Sequence, residues 1–536
     1  MDNIKILYVG NNEKLEHQAE PKQQETGQYS EPEQYPKAKR HAESEQYQEA
    51  EQGLKPERVQ VLFWKENTPL PCNQKPDLVL LDRDVSEPEI ELLKRITRGY
   101  CLFATERADL RQPAVRTFYE GKMGKRLQRS EVPTFLKSEA WKYFSGSYGE
   151  RFLPDMLMVN SQFQGEKKCL GNDDLCLKGN FGDEFRQIVY WKYNIPLQAH
   201  QVLDLYLEYE KRGTVEICLK AVFFYGGSAD GIKHIQTFDE DEVKKGVQLK
   251  GDAQFGTVFV SILAKGVGSL EVFSLHNRYS RDDAGYFVPG GKRLVTAKGE
   301  EVFTYFEKGN AKPPLVVYFS GYRKQEGFEG YALMQKFDCP FLLVTDPRSE
   351  GGGCYIGEEA YEQMLLEELK SKIYHLGFSL KDVIFVGASM GTYGALYYGS
   401  AIPPRVMLLA KPLANMGTVA KNERMLRTEG FGTSLDFLRK YYHSLGDEAI
   451  KHFNRRLWAR FDKAQWSETK FKISYLYEDD YDPSAYRDIL SHLKGCDTQV
   501  YGKGNHGRHK DNQVAVMKWL ESQLNKLVRE DFHYGT

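Results

Sequence analysis

Through the middle of the chain, apolar and polar positions alternate with period two. Between about Ile188 and Ser274, the residues Leu203, Leu205, Leu207 and Tyr209 fall on one side, with Asp204, Tyr206 and Glu208 between them. Similar runs occupy Thr214 to Phe224, Phe255 to Ala264 and Leu270 to Phe273, separated by glycine-rich turns. Successive side chains of a strand point to opposite faces, so this pattern predicts an antiparallel β-sandwich. The flanking thirds read differently. An apolar strand at Ile4 to Gly10 is followed by a Gln/Glu/Lys/Pro-rich tract from about Asn11 to Arg58, too polar to bury a core and expected to be disordered. Strand-like runs resume at Val59 to Trp64, Asp77 to Leu81 and Tyr100 to Ala104, with a helical pattern over Glu87 to Thr97. Strands alternating with helices predict a small parallel, Rossmann-like α/β domain. From about Gly290 onward strands and helices alternate again. Tyr361, Leu365, Leu369, Ile373 and Leu376 recur at helical spacing, with Glu367 and Glu368 expected to point elsewhere and Gly377 to end the helix. The expected division is a Rossmann-like domain over 1–180 with a disordered insertion at about 11–58, a carbohydrate-binding-like β-sandwich over 181–289, and an α/β-hydrolase-like domain over 290–536.

Composition narrows the functional classes. With 536 residues, 41% of them hydrophobic, there is material for about three cores. Lysines and arginines total 73 against 75 acidic residues, so no global charge draws the chain to nucleic acid. The start lacks the basic and apolar regions of a signal peptide, and no run approaches the ~20 apolar residues of a membrane span. A cytosolic protein is expected. The eight cysteines are scattered without metal-ligand spacing; Cys169 and Cys176 lie close together, but nothing completes a site, so no metal is expected. The run Asp77 to Asp84 has the look of a phosphoacceptor strand, yet the first strand ends in Gly10-Asn11-Asn12 rather than an acidic pair. No G-x-G-x-x-G follows it, which removes direct support for nucleotide binding. Tyr190, Trp191, Tyr193 and Tyr225 are of a kind that stacks on sugar rings, although a core role outweighs that reading for each.

The candidate chemistry lies in the last third. Gly387-Ala388-Ser389-Met390-Gly391 sits between the apolar run Val383 to Val386 and a helix-like segment, which is the strand, turn and helix of a nucleophile elbow. Ser389 is the candidate nucleophile. A serine hydroxyl needs a histidine to take its proton and a carboxylate to hold that histidine's tautomer. Both follow in the expected order. The strand-like Phe471 to Tyr477 ends in the acidic loop Glu478-Asp479-Asp480-Tyr481-Asp482, and Thr498 to Tyr501 is followed by a loop holding His506 and His509. Spacing alone chooses neither among the carboxylates nor between the histidines. The oxyanion formed on attack needs two amide donors, expected from Met390 and from Gly321 or Tyr322, which follow the strand Leu315 to Ser320. Arg348, in Asp346-Pro347-Arg348 after the strand Phe341 to Thr345, is a candidate substrate contact or a structural ion pair.

These motifs together resemble a known family. His276-Asn277-Arg278-Tyr279-Ser280-Arg281 running into Gly285 to Gly291, Asp346-Pro347-Arg348 with its glycine-rich sequel, Gly387 to Gly394, Asp479 to Asp482, and Gly507-Arg508-His509 with Asp511-Asn512 are similar in order to the accessory Sec system secretion proteins of the second Asp type. The resemblance covers nearly the whole chain, with the tract at 11–58 as an insertion. It implies a Ser-acid-His site that O-acetylates GlcNAc on serine-rich repeat adhesins, and a separable role in their export. It favours His509 over His506 and leaves Asp479 and Glu478 ahead of Asp480 as the acid. It further implies a serine-rich repeat glycoprotein substrate, other accessory Sec proteins and a dedicated translocase ATPase as partners, and a cytoplasmic location, peripheral at the inner face of the membrane. No bound cofactor is implied, and the acetyl donor stays open. A carbohydrate esterase of the same fold and a non-catalytic export adaptor are the competing readings.

Overall fold

The computed structural model describes residues 4–13, 15–16, 59–71, 75–146, 149–169, 174–199, 201–226, 231–252, 255–348, 353–427 and 430–532. Most of the polar tract at 11–58 and the glycine-rich residues 349–352 lie outside the described residues.

Three sheets organise the chain. The first contains β1 (Ile4–Val9), β2 (Val59–Trp64), β3 (Leu78–Leu81), β4 (Leu102–Ala104) and β5 (Lys125–Arg126), all parallel, in the order β2-β1-β3-β4-β5. Helix α1 (Glu87–Ile96) connects β3 to β4, its start fixed by a capping box between Ser86 and Glu89 and by acidic residues in its first turn. Separate apolar clusters cover the two faces, which is why β3 reads as a continuous apolar run rather than an alternating one.

The second sheet joins ten strands. They are β6 (Gly149–Phe152), β7 (Leu157–Val159), β8 (Glu166–Cys169), β9 (Leu175–Trp191), β10 (Ile195–Pro196), β11 (Val202–Gly213), β12 (Glu216–Tyr225), β13 (Ile232–Phe238), β14 (Val247–Lys250) and β15 (Phe255–Tyr279). Pairing throughout is antiparallel. β15, 25 residues long, pairs with β12 along its first part, with β9 through its middle, and with β11 and β6 along its last. One continuous strand thereby ties these strands together around a shared apolar core. The expected boundary at 180/181 falls inside β9, and strands from Gly149 onward already belong to this sheet. Glu166 to Cys169 is fully exposed, so no buried alternation marks that hairpin in the sequence. Of the four candidate stacking aromatics, Trp191 is core and Tyr190 packs on Phe259, whereas Tyr193 and Tyr225 are exposed beside Lys192 and Lys233.

The third sheet positions the site. It contains β16 (Lys292–Val295), β17 (Glu301–Glu307), β18 (Leu315–Phe319), β19 (Phe341–Thr345), β20 (Val383–Ala388), β21 (Val406–Ala410), β22 (Lys470–Leu476) and β23 (Gln499–Asn505), in the order β16-β17-β19-β18-β20-β21-β22-β23. β17 runs antiparallel to its neighbours and β18 to β23 are parallel. α2 (Glu359–His375) and α3 (Met390–Gly399) contribute to the core on one face, and α4 (Gln513–Lys526) to that on the other. In α2 the apolar positions Tyr361, Leu365, Leu369 and Ile373 are buried as their spacing predicts. Glu368, however, turns inward to ion pairs with Lys292 and Lys372, while Glu367 stays exposed. Among the described residues no helix is long and apolar enough to cross a membrane.

Candidate active site

The carboxyl ends of β20, β21, β22 and β23 converge on one cavity. β20 ends at Ala388 and α3 begins at Met390, leaving Ser389 alone on the turn with φ 52° and ψ −123°. That backbone region is costly for a residue with a side chain, and it thrusts the hydroxyl out of the turn. The small neighbours have steric reasons. A Cβ on Gly387 would lie 2.4 Å from the carbonyl oxygen of Gly391, and one on Gly391 would lie 2.1 Å from that of Phe319. Strand and helix can close around Ser389 only if both stay glycine.

Ser389 Oγ lies 2.8 Å from His509 Nε2, and His509 Nδ1 lies 2.8 Å from Asp479 Oδ2. Asp479 is in turn held by the backbone N–H groups of Tyr481 and Asp482, which donate to its other oxygen at 2.8 and 3.1 Å. The His509 ring stacks on Tyr481, with centroids 4.1 Å apart and planes 8° apart. The neighbouring carboxylates do other things. Glu478 accepts from the amide of Gly507 and pairs with His506 at the exposed rim, and these contacts hold its carboxyl below the usual range. Asp480 accepts from the His509 amide at 2.9 Å and from Arg508 at 2.6 Å. Burial alone would raise the Asp480 carboxyl, but these donors outweigh it and hold it low. The structure thus brings Ser389, His509 and Asp479 into one hydrogen-bonded line and leaves Glu478 and His506 outside it.

Gly321, Tyr322, Glu329, Phe431, Lys510 and Met517 are among the residues lining the cavity of about 370 Å³ in front of Ser389. The Met390 amide opens the first turn of α3, where backbone donors have no intrahelical partner. Gly321 approaches the elbow so closely that a Cβ there would lie 2.8 Å from the carbonyl oxygen of Ala388. Its N–H donates to Glu329 Oε2 at 2.5 Å. Tyr322 stands half-exposed at the rim, edge-on to Phe431.

Comparison with known proteins agrees with this architecture. The family model described as "Asp2: Accessory Sec system GspB-transporter" matches residues 47–534. This chain belongs to that family. The accessory Sec system protein Asp2 of Streptococcus gordonii is 36% identical over 447 residues, covering 83% of this chain and 87% of that protein. Its namesake from Staphylococcus aureus (strain NCTC 8325 / PS 47) is 36% identical over 389 residues, 73% of this chain and 74% of that one. Among solved structures, a chain of the Glycosylation Associate Protein (Gap123) complex from Streptococcus agalactiae superposes with a TM-score of 0.79 at 30% identity, covering 99% of this chain and 98% of that one. The family membership read from separated motifs is thereby borne out.

Two further residues of this Asp2-family chain are placed by the structure. Arg348 does not line the cavity. It is buried, its guanidinium bound to Asp346, to Glu300 at 2.8 Å and to the carbonyl of Ile356 at 2.6 Å, which is the structural ion pair of its two expected readings. Lys411, which sequence reasoning missed, does line it. Directly after β21, its buried Nζ donates to the carbonyls of His509 and Asp511 at 2.6 and 2.8 Å and to Gln513 Oε1 at 2.9 Å. Burial lowers the Lys411 ammonium from its usual range against the pull of Asp479 and Asp511. The available signal was a lysine ending an apolar strand at the carboxyl edge of a parallel sheet, where ligands and catalytic loops gather.

Proposed function

We propose that the chain is an α/β-hydrolase-like O-acetyltransferase that acts through Ser389, His509 and Asp479 on GlcNAc of serine-rich repeat glycoproteins, within the accessory Sec export system. The observation that carries the reading is the unbroken line from the elbow hydroxyl through His509 to Asp479. In this reading His509 Nε2 takes the Ser389 proton as Oγ attacks the acyl carbonyl, and Asp479 stabilises the imidazolium formed. The oxyanion draws on the Met390 amide and on that of Gly321. Collapse returns the proton to the leaving group and leaves an acyl-serine. A sugar hydroxyl then gives its proton to His509 and attacks the acyl carbon, so Ser389 is regenerated and the acetyl ends on the sugar. Acyl transfer is supported by the geometry; the sugar acceptor and acetyl group rest on the family resemblance. The relatives' names speak of accessory secretion and of a complex, which supports further accessory Sec proteins as partners; a translocase ATPase and a cytoplasmic place at the inner face of the membrane rest on the family resemblance.

Mass spectrometry of a GlcNAc-bearing serine-rich repeat substrate, co-expressed with wild-type protein or Ser389→Ala, tests this reading. The expected result is a gain of acetyl groups that disappears in the variant while adhesin export persists. Ser389-dependent loss of acetyl from a pre-acetylated substrate would identify an esterase, in which water wins the second step. An unchanged substrate in both arms would leave an export adaptor.

A further inference from the structure

The Gly321 N–H, the expected second oxyanion donor, already has a partner. Glu329 Oε2 accepts from it at 2.5 Å, so a carboxyl oxygen sits on the amide that the substrate oxyanion would need. Its surroundings fix it there. The Glu329 amide donates to Ser320 Oγ at 3.1 Å, Tyr355 Oη donates to the Ser320 carbonyl at 2.6 Å, and both Gly321 and Glu329 line the cavity in front of Ser389. Burial raises the Glu329 carboxyl above its usual range, and the Gly321 hydrogen bond and the Arg323 charge offset only part of that rise.

We infer that Glu329 is a specificity-determining residue of this site: its carboxyl oxygen competes with the acyl carbonyl oxygen for the Gly321 N–H, and only an acyl donor held by contacts beyond its reacting carbonyl displaces it. The inference rests on the acyl-transfer reading above. Binding energy from remote parts of a donor can drive such a displacement, whereas a minimal ester has none to spend. Glu329 therefore screens the acyl-serine step against small adventitious esters. The segment that carries it is braced from the central sheet: Glu326, three residues earlier, binds His276 and Arg278 of β15, and Arg151 of β6 donates to the carbonyls of Arg323 and Lys324. The rest of the loop is thus held while Glu329 turns aside.

The test uses the full chain with two minimal probes, p-nitrophenyl acetate and an alkyl fluorophosphonate whose phosphoryl oxygen needs the same amide. Wild type, Ser389→Ala, Glu329→Gln and Glu329→Ala are compared, each checked by thermal melting. Glu329→Ala is expected to raise Ser389 phosphonylation and p-nitrophenol release about three- to tenfold, the scale of one hydrogen bond, with Glu329→Gln rising less because its amide oxygen still accepts. Rates equal to or below wild type in both folded variants, with Ser389-dependent labelling intact, would overturn the inference and leave the nucleophile assignment standing. No labelling in wild type or either Glu329 variant would overturn the hydrolase reading and the inference with it.

Discussion

The three adjacent carboxylates after β22 show how one residue step decides a role. Asp479 reaches His509 Nδ1 because its other oxygen is pinned by the amides of Tyr481 and Asp482, which curl the loop back toward the imidazole. Glu478, one position earlier, leaves the strand on the solvent side and meets His506. Asp479→Asn should keep the shape of that turn but lose the acceptor that fixes the His509 tautomer, so Ser389-dependent ester turnover should fall by about 10³ to 10⁴. Glu478→Gln should stay within about threefold, since it removes only a rim contact. Steady-state kinetics on one activated ester distinguishes the two, and equal losses would mean that the acid is misassigned. The sequence made Ser389 legible because an elbow is a local object in which five residues carry both the steric demand and the nucleophile. It left the acid and the base ambiguous because side-chain direction in an acidic loop depends on turn hydrogen bonds that composition does not encode. The family's Gly-Arg-His pattern, rather than spacing, singled out His509.

Elements tell a similar story at longer range. Strand positions in the third sheet follow from apolar runs punctuated by helices, and the strands β18, β20 and β22 stand where those runs predict. What no local pattern announces is a tie between elements distant in sequence. Lys411 at the end of β21 holds the loop between β23 and α4 through two carbonyls and a glutamine, about a hundred residues away. A backbone carbonyl has no sequence signature, so such a strap is invisible before folding. Lys411→Met should release that loop and let the imidazole drift from Ser389. A displacement of about 1 Å costs on the order of a hundredfold in a positioned site, so kcat should fall ten- to a hundredfold with KM little changed. Melting temperature should drop by only a few degrees, because the strap faces a cavity where water can reach the abandoned carbonyls. A loss of activity that merely tracks unfolding would argue against a positioning role. The exposed hairpin of β8 was missed for the opposite reason: it buries nothing, so it alternates in no readable way.

Across the whole molecule, the central sheet and the third sheet are joined by buried charge. Arg278 of β15 donates to Glu326, in the loop after β18, and to Glu301 at the start of β17, while Arg293 of β16 also binds Glu301. His276, on the same strand as Arg278, contacts Glu326 through one ring nitrogen and Glu208 of β11 through the other. Burial would lower the His276 imidazole, but the Glu326 carboxylate overcomes it and raises it to about 9. Burial would likewise raise Glu301 and Glu326, and Arg278 foremost holds them at about 2. A histidine near 6.5 when unfolded and near 9 when folded binds an extra proton in the native state between those values. Its contribution is therefore complete below about pH 6.5 and lost as pH rises through about 9, an effect on the order of a few kcal/mol at most. Wild-type melting temperature should fall by several degrees between pH 6.5 and 9.5, and His276→Gln, which has no proton to lose, should show a shallower decline from a lower start. Identical slopes would mean that the imidazole is neutral in the native state. Because Glu326 lies on the loop that carries Gly321 and Glu329, the same alkaline range should loosen the oxyanion side of the cavity before the molecule unfolds. Ser389 labelling by a small probe should then rise at a pH where the melting curve still reports a folded chain, which links a charge network in the body of the molecule to the accessibility of one backbone amide.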